Sequence, residues 1–89
     1  MAIHSSHPEI AKRLKRAGGH LKSIVTMIEE ERGCLDIAQQ LQAVEKAIAN
    51  AKKALVQDHI DHCLERVVRD GTSKSGDAIK EFKEIAKYL

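Results

Sequence analysis

Residues Gln57 to Cys63 read QDHIDHC, which sets two histidines, two aspartates and a cysteine within seven positions. His59 and Cys63 stand four residues apart, so on a helix they share one face. An imidazole and a thiolate placed this way form half of a site for a soft metal ion. The chain's other cysteine, Cys34, lies twenty-nine residues earlier. On one continuous helix that separation is roughly 43 Å, too far for the two sulfurs to share an ion. An antiparallel pair of such helices, with a two-fold axis near Glu45 to Ala49, sets Cys34 of one chain against the His59–Cys63 turn of the other. The missing ligand then comes from the neighbouring subunit, and a dimer holds two equivalent sites.

Two thiolates and one imidazole suit trigonal Cu(I), whereas Zn(II) usually takes a fourth ligand. His62, three residues after His59, is a possible addition, as are His4 and His7 near the N-terminus. A nitrogen-rich set that included them would favour Ni(II) or Co(II). Asp58 and Asp61 beside His59 and His62 raise a hydrolase reading. Nothing in the sequence supplies a phosphate cradle or an oxyanion hole, so these aspartates read as solvated helix charges and the chain as a non-enzyme.

The elements that must carry these residues are helices. Ile10, Leu14, Ala17, Leu21, Ile24 and Ile28 recur at steps of four and three, the stripe of an amphipathic helix. Ser6 and Glu9 form a capping-box pattern at its start, and Pro8 falls in the first turn. Gly18-Gly19 in its middle points to a close backbone approach, and Gly33 to a C-cap at its end. A second stripe follows, through Ile37, Leu41, Val44, Ile48, Ala51 and Leu55, then Val56, Ile60, Cys63 and Val67. No Pro or Gly interrupts it from Cys34 to Asp70. A turn at Asp70 to Asp77 leads to a short third helix with Ala78, Ile79, Phe82, Ile85, Ala86 and Leu89 as its apolar face. The expectation is an all-α protomer of three helices with a long second helix, one domain over residues 1–89, and a flexible arm over 1–7. About 36 residues of second helix, roughly 54 Å, exceed what so short a chain can cover. Helical self-association is expected, most simply as a two-fold dimer.

With 89 residues, 31% charged and 43% hydrophobic, the chain has a globular composition. It contains no apolar run of the roughly 20 residues that span a bilayer, and its start lacks the pattern of a signal peptide. A cytoplasmic location and no membrane partner are expected, and in that compartment two cysteines bind metal or do redox chemistry. The formal net charge is only +2, but Lys12, Arg13, Lys15 and Arg16 crowd four cations into five positions. Such a cluster, with Lys46 and Lys52 further on, is a candidate phosphate-contacting surface for double-stranded DNA.

Cys34, His59 and Cys63, at this spacing and in a chain of this length, resemble the copper-sensing repressors of the CsoR/RcnR/FrmR family. The similarity runs from about Glu9 to Leu89. The stretch RLKRAGGHLKSIVTMIEE looks like the family's first helix, and CLDIAQQLQAVEKAIANAKKALVQDHIDHC like its second. The resemblance implies all-α dimers that assemble into tetramers and bind operator DNA through basic residues, with no helix-turn-helix. It also implies repression without inducer, and release of the operator when inducer binds between subunits. Within such a family the Cys-His-Cys set resembles that of the Cu(I) sensors. Nickel and cobalt sensors carry His in place of Cys63 together with N-terminal His ligands. Formaldehyde sensors carry Glu there and Pro at the position of Ala2, and persulfide sensors lack His59. The resemblance also assigns Glu81 the task of holding the free nitrogen of His59, if the turn near Gly71 has gained two residues.

The chain departs from the pattern in places. Gly33 stands where the copper sensors carry Tyr, Gly18-Gly19 where Arg-Gly is usual, and Asn50 where a second-helix Arg contacts DNA; Arg13 matches a family Arg. The leading expectation is a Cu(I)-responsive repressor. The alternatives are a Ni(II)/Co(II) repressor, a persulfide- or thiol-redox-sensing repressor joining Cys34 to Cys63 across subunits, and a metal buffer or chaperone without DNA binding.

Overall fold

The computed structural model describes residues 6–71 and 76–89. Helix α1 spans His7–Glu29, α2 spans Cys34–Asp70 and α3 spans Gly76–Ile85, followed by a 3-10 turn at Ala86–Tyr88. No strand occurs among the described residues. The long second helix expected from the uninterrupted stripe is present at 37 residues. None of these helices is long and apolar enough to cross a membrane.

The chain divides into two compact units, Pro8–Lys52 and Lys53–Leu89 with Met1–His7. In the first, α1 and the N-terminal part of α2 form an antiparallel hairpin. His20 reaches Gln40 at 2.6 Å, while Arg13 and Arg16 share a cleft with Ala47 and Asn50, so positions advance along one helix as they retreat along the other. His20 therefore ties α1 to α2 as a structural residue.

The turn between α1 and α2 departs from expectation. Gly33 does not cap α1. Glu31, at φ 57°, takes the left-handed position instead, its N–H donating to Ile28 O at 3.1 Å and that of Arg32 to Met27 O at 3.0 Å. This pair of bonds is a Schellman closure with a glutamate where glycine is usual. Gly33 caps the start of α2, its carbonyl accepting from Ile37 N at 3.1 Å, a position glycine fills well. At the far end of α2, Gly71 has φ 77° and its N–H donates to Val67 O at 2.8 Å, closing the helix where the sequence placed a turn. The capping box at the start of α1 does not form. Ser6 Oγ is buried without a hydrogen-bond partner, and Glu9 turns toward Arg13 at 4.0 Å.

Burial splits each apolar stripe in two. On α1, Ile10, Ala17 and Ile24 are buried while Leu14, Leu21 and Ile28 are exposed, Ile24 at 2% against Leu14 at 45%. On α2, Val44 and Ala51 are buried and Ile37 half-buried, while Leu41, Ile48 and Leu55 are exposed. Each sub-row repeats every seven residues. The buried rows make the core of the Pro8–Lys52 unit, and the exposed rows are as apolar as the buried ones. Added side chains at Gly18 or Gly19 would meet nothing within 4 Å, so among the described residues no neighbouring backbone makes the expected close approach.

In the second unit, Val56, Cys63 and Ala78 are buried, with Ile60, Val67, Ile79 and Phe82 half-buried around them. Burying side chains of this size stabilises by about 1.5–3 kcal/mol each, which fixes α3 on the last turns of α2.

Candidate metal centre and basic cleft

Three side chains converge where α3 packs on α2. His59 and Cys63 project from successive turns of α2, and Glu81 comes from α3 to meet them. One ligand atom from each lies within 4.8 Å of the others. A single oxygen, Glu81 Oε2, stands 3.6 Å from His59 Nε2 and 4.0 Å from Cys63 Sγ. The first distance lies in ion-pairing range, longer than a formed hydrogen bond. The second is a thiol aimed at a carboxylate.

Cys63 is 1% exposed and forms one wall of an apolar cavity of about 160 Å³ with Leu64, Val67, Ile79 and Phe82. Burial pushes its thiol above the ordinary value of 9.0, the Glu81 carboxylate pushes the same way, and the Arg66 guanidinium opposes both. The apo site therefore keeps its proton on sulfur, and a metal must displace it.

These donors fit a soft or borderline ion. A buried thiol and an imidazole suit Cu(I) or Zn(II), and the carboxylate supplies either a third donor or an acceptor for the imidazole N–H. With Nε2 facing Glu81, Nδ1 is the nitrogen left for an ion in the latter case.

The remaining candidates are dispersed. Cys34 is the first residue of α2, exposed, and lies twenty-nine positions before Cys63 on the same helix. His62 is half-buried and outside the group of three. His7, expected on an arm, is the first residue of α1, and its Nε2 lies 3.9 Å from Asp58 Oδ2. Asp58 is thus partnered and half-buried, not a solvated charge as expected, while Asp61 is exposed. His4 lies outside the described residues.

Lys12, Arg13, Lys15, Arg16, Lys46 and Lys52 are all exposed. Arg13 and Arg16 also line a cleft of about 440 Å³ with Ala17, His20, Ala47 and Asn50. Two guanidiniums above a floor of alanines leave room for an anion to reach both.

Sequence comparison decides what these features belong to. Residues 6–88 match the family described as metal-sensitive transcriptional repressor. The chain belongs to this family. It is 35% identical to the copper-sensing transcriptional repressor CsoR of Bacillus subtilis over 79 residues, 89% of this chain and 76% of that protein. It is 39% identical to the copper-sensing transcriptional repressor RicR of Mycobacterium tuberculosis over 61 residues, 68% of this chain and 64% of that protein. The match thus covers less than two thirds of the length of RicR. Among solved structures, the nickel-responsive transcriptional regulator InrS superimposes with a TM-score of 0.84 at 28% identity, covering 97% of this chain and 96% of that one. Membership of the metal-sensitive repressor family agrees with the resemblance carried by Cys34, His59 and Cys63, and the helical fold is shared with InrS.

Sequence reading missed Arg66, whose Nη1 lies 3.7 Å from the same Glu81 oxygen. The signal was available. Arg66 follows Cys63 by three residues and His59 by seven, which puts all three on one face of α2.

Proposed function

We propose that this protein is a Cu(I)-responsive repressor that binds operator DNA without metal and lets go when Cu(I) binds. The ion would join Cys34 of one subunit to His59 and Cys63 of its neighbour. The observation that carries this reading is the convergence of His59, Cys63 and Glu81, a site one thiolate short of a Cys-His-Cys set. Cys34, exposed at the start of α2, is the chain's other thiol. The exposed rows Leu14–Leu21–Ile28 and Leu41–Ile48–Leu55 support self-association as a homodimer and, from the family, a homotetramer. The copper-sensing relatives favour Cu(I) over other ions.

Each residue then has a task. Cys63 and His59 hold the ion from one chain, Cys34 from the other, and Glu81 orients the imidazole. Bound Cu(I) supplies a covalent tie between two subunits. Lys12, Arg13, Lys15 and Arg16 contact operator phosphates, with Lys46 and Lys52 nearby, in the cytoplasm. Metal and DNA then compete through linkage, each lowering the affinity for the other. Cys34→Ala tests the shared site. Operator binding by the apoprotein should stay within about twofold, while tight Cu(I) binding and copper-induced release are lost. Unchanged copper affinity in this variant would overturn the cross-subunit site. Apoprotein that fails to bind any operator would point instead to a metal buffer.

A Ni(II)- or Co(II)-responsive repressor is the second reading, favoured by the similarity to nickel-responsive InrS. It requires His4 or His7, so His4→Ala with His7→Ala should abolish nickel-induced release and leave a copper response intact.

A further inference from the structure

We propose that Arg66 sets the metal selectivity of this site by holding Glu81 beside the ion and not on it. The inference rests on the metal-site reading above and goes beyond it. Glu81 Oε2 is the point where three α2 side chains meet. It lies 3.6 Å from His59 Nε2, 4.0 Å from Cys63 Sγ and 3.7 Å from Arg66 Nη1. The carboxylate is therefore nearly as close to a fixed cation as to His59, and closer to it than to Cys63.

A guanidinium is a fixed positive charge, and one of its nitrogens here faces the Glu81 oxygen. While it engages Glu81, the oxygen's charge is compensated. Glu81 can accept from His59 but gains less by ligating an ion. The consequence differs between metals. Cu(I) is satisfied by thiolates and an imidazole, and a carboxylate adds little. Zn(II) and Co(II) seek a fourth ligand and accept carboxylate oxygen readily. A carboxylate released from Arg66 also adds uncompensated negative charge, which a divalent ion feels twice as strongly as a monovalent one. Arg66 thus penalises divalent ions selectively. The side chains of Arg66 and Glu81 are 34% and 54% exposed, so solvent screens the pair and the effect is moderate.

The test is a competition titration of the reduced full-length protein against chelators, with Cu(I), Zn(II) and Co(II) as probes. Arg66→Met should shift the affinity ratio toward the divalent ions by about three- to fivefold, the upper scale of one partly exposed charge pair. The Co(II) absorption bands should change with it, reporting a carboxylate in the coordination sphere. Arg66→Lys, which keeps the charge, should leave the ratio near that of the parent. Arg66→Met combined with Glu81→Gln should return the ratio to within about twofold of the parent. A ratio unmoved in Arg66→Met overturns the proposal, as does a shift that survives Glu81→Gln. If the parent protein binds none of the three ions in a Cys63-dependent way, the metal-site reading fails first, and this inference falls with it.

Discussion

The cleft around Arg13 and Arg16, lined by α1 and α2, and the pocket around Cys63, lined by α2 and α3, are built by opposite means. Between Pro8 and Lys52, the candidate groups are exposed guanidiniums that share a cleft with two alanines, with no carboxylate among its lining residues. Between Lys53 and Leu89, the candidate thiol is buried in an apolar wall and held beside a carboxylate that also meets a guanidinium. An extended polyanion demands the first arrangement. It is bound by many screened contacts, none of which needs a fixed geometry. A single ion demands the second, because its donors must be few, dry and aimed. The two regions therefore should respond to different perturbations.

The largest expected effect separates them directly. Cys63→Ala should weaken Cu(I) binding by more than about 100-fold, beyond the loss that a change outside the ligand set causes. Apo operator binding should hardly move. Arg13→Ala with Arg16→Ala should do the reverse, lowering the slope of log affinity against log salt by about 2 while metal affinity is kept. A double arginine variant with an unchanged salt slope would remove the cleft from the DNA interface.

Acidity should sharpen the same contrast. The raised Cys63 thiol means that metal binding releases a proton, so Cu(I) affinity should climb by about tenfold per pH unit per proton below that titration. In the apoprotein the folded state prefers the protonated thiol. Its contribution to stability is fully present below the ordinary value of 9.0 and is lost as pH rises through the folded value. Urea melts of the apoprotein should show that decline, and Cys63→Ala should flatten it. Operator binding by the cleft, at fixed salt, should lack the Cys63-linked step.

Smaller effects belong to the helix ends that frame the two regions. Gly71 at φ 77° closes α2 beside the metal region, and Gly71→Ala should cost about 1–2 kcal/mol in thermal or urea melts. Glu31 at φ 57° closes α1 in the cleft-bearing unit with a residue poorly suited to the conformation. Glu31→Gly should stabilise by about 0.5–1 kcal/mol. A loss of stability there would mean that the glutamate side chain contributes more than the strain costs.

Much of this was legible in the residues. The uninterrupted stripe from Cys34 to Asp70 foretold α2, and the spacing of His59 and Cys63 foretold one wall of the site. Glu81 came only from the family resemblance, since no local pattern says which α3 residue crosses to which α2 turn. Arg66 was overlooked because a lone cation on a polar helix carries no motif; only its heptad relation to His59 marks it. The capping box failed because sequence spacing permits those bonds without requiring them, and Glu9 found Arg13 a turn away. The division of each stripe into covered and uncovered rows was also hidden. Leu14 and Ile24 are both large and apolar, and periodicity places a residue on a face without naming what covers it.

Those uncovered rows have a geometric consequence. Leu41, Ile48 and Leu55 repeat every seven residues, whereas a straight α-helix returns to the same bearing only after 3.6-residue turns. The row therefore drifts by about 20° per repeat around α2. A second helix that follows it must wind with the drift, and the winding is left-handed. The handedness of any seam along this helix is thus written in the interval between three aliphatic side chains.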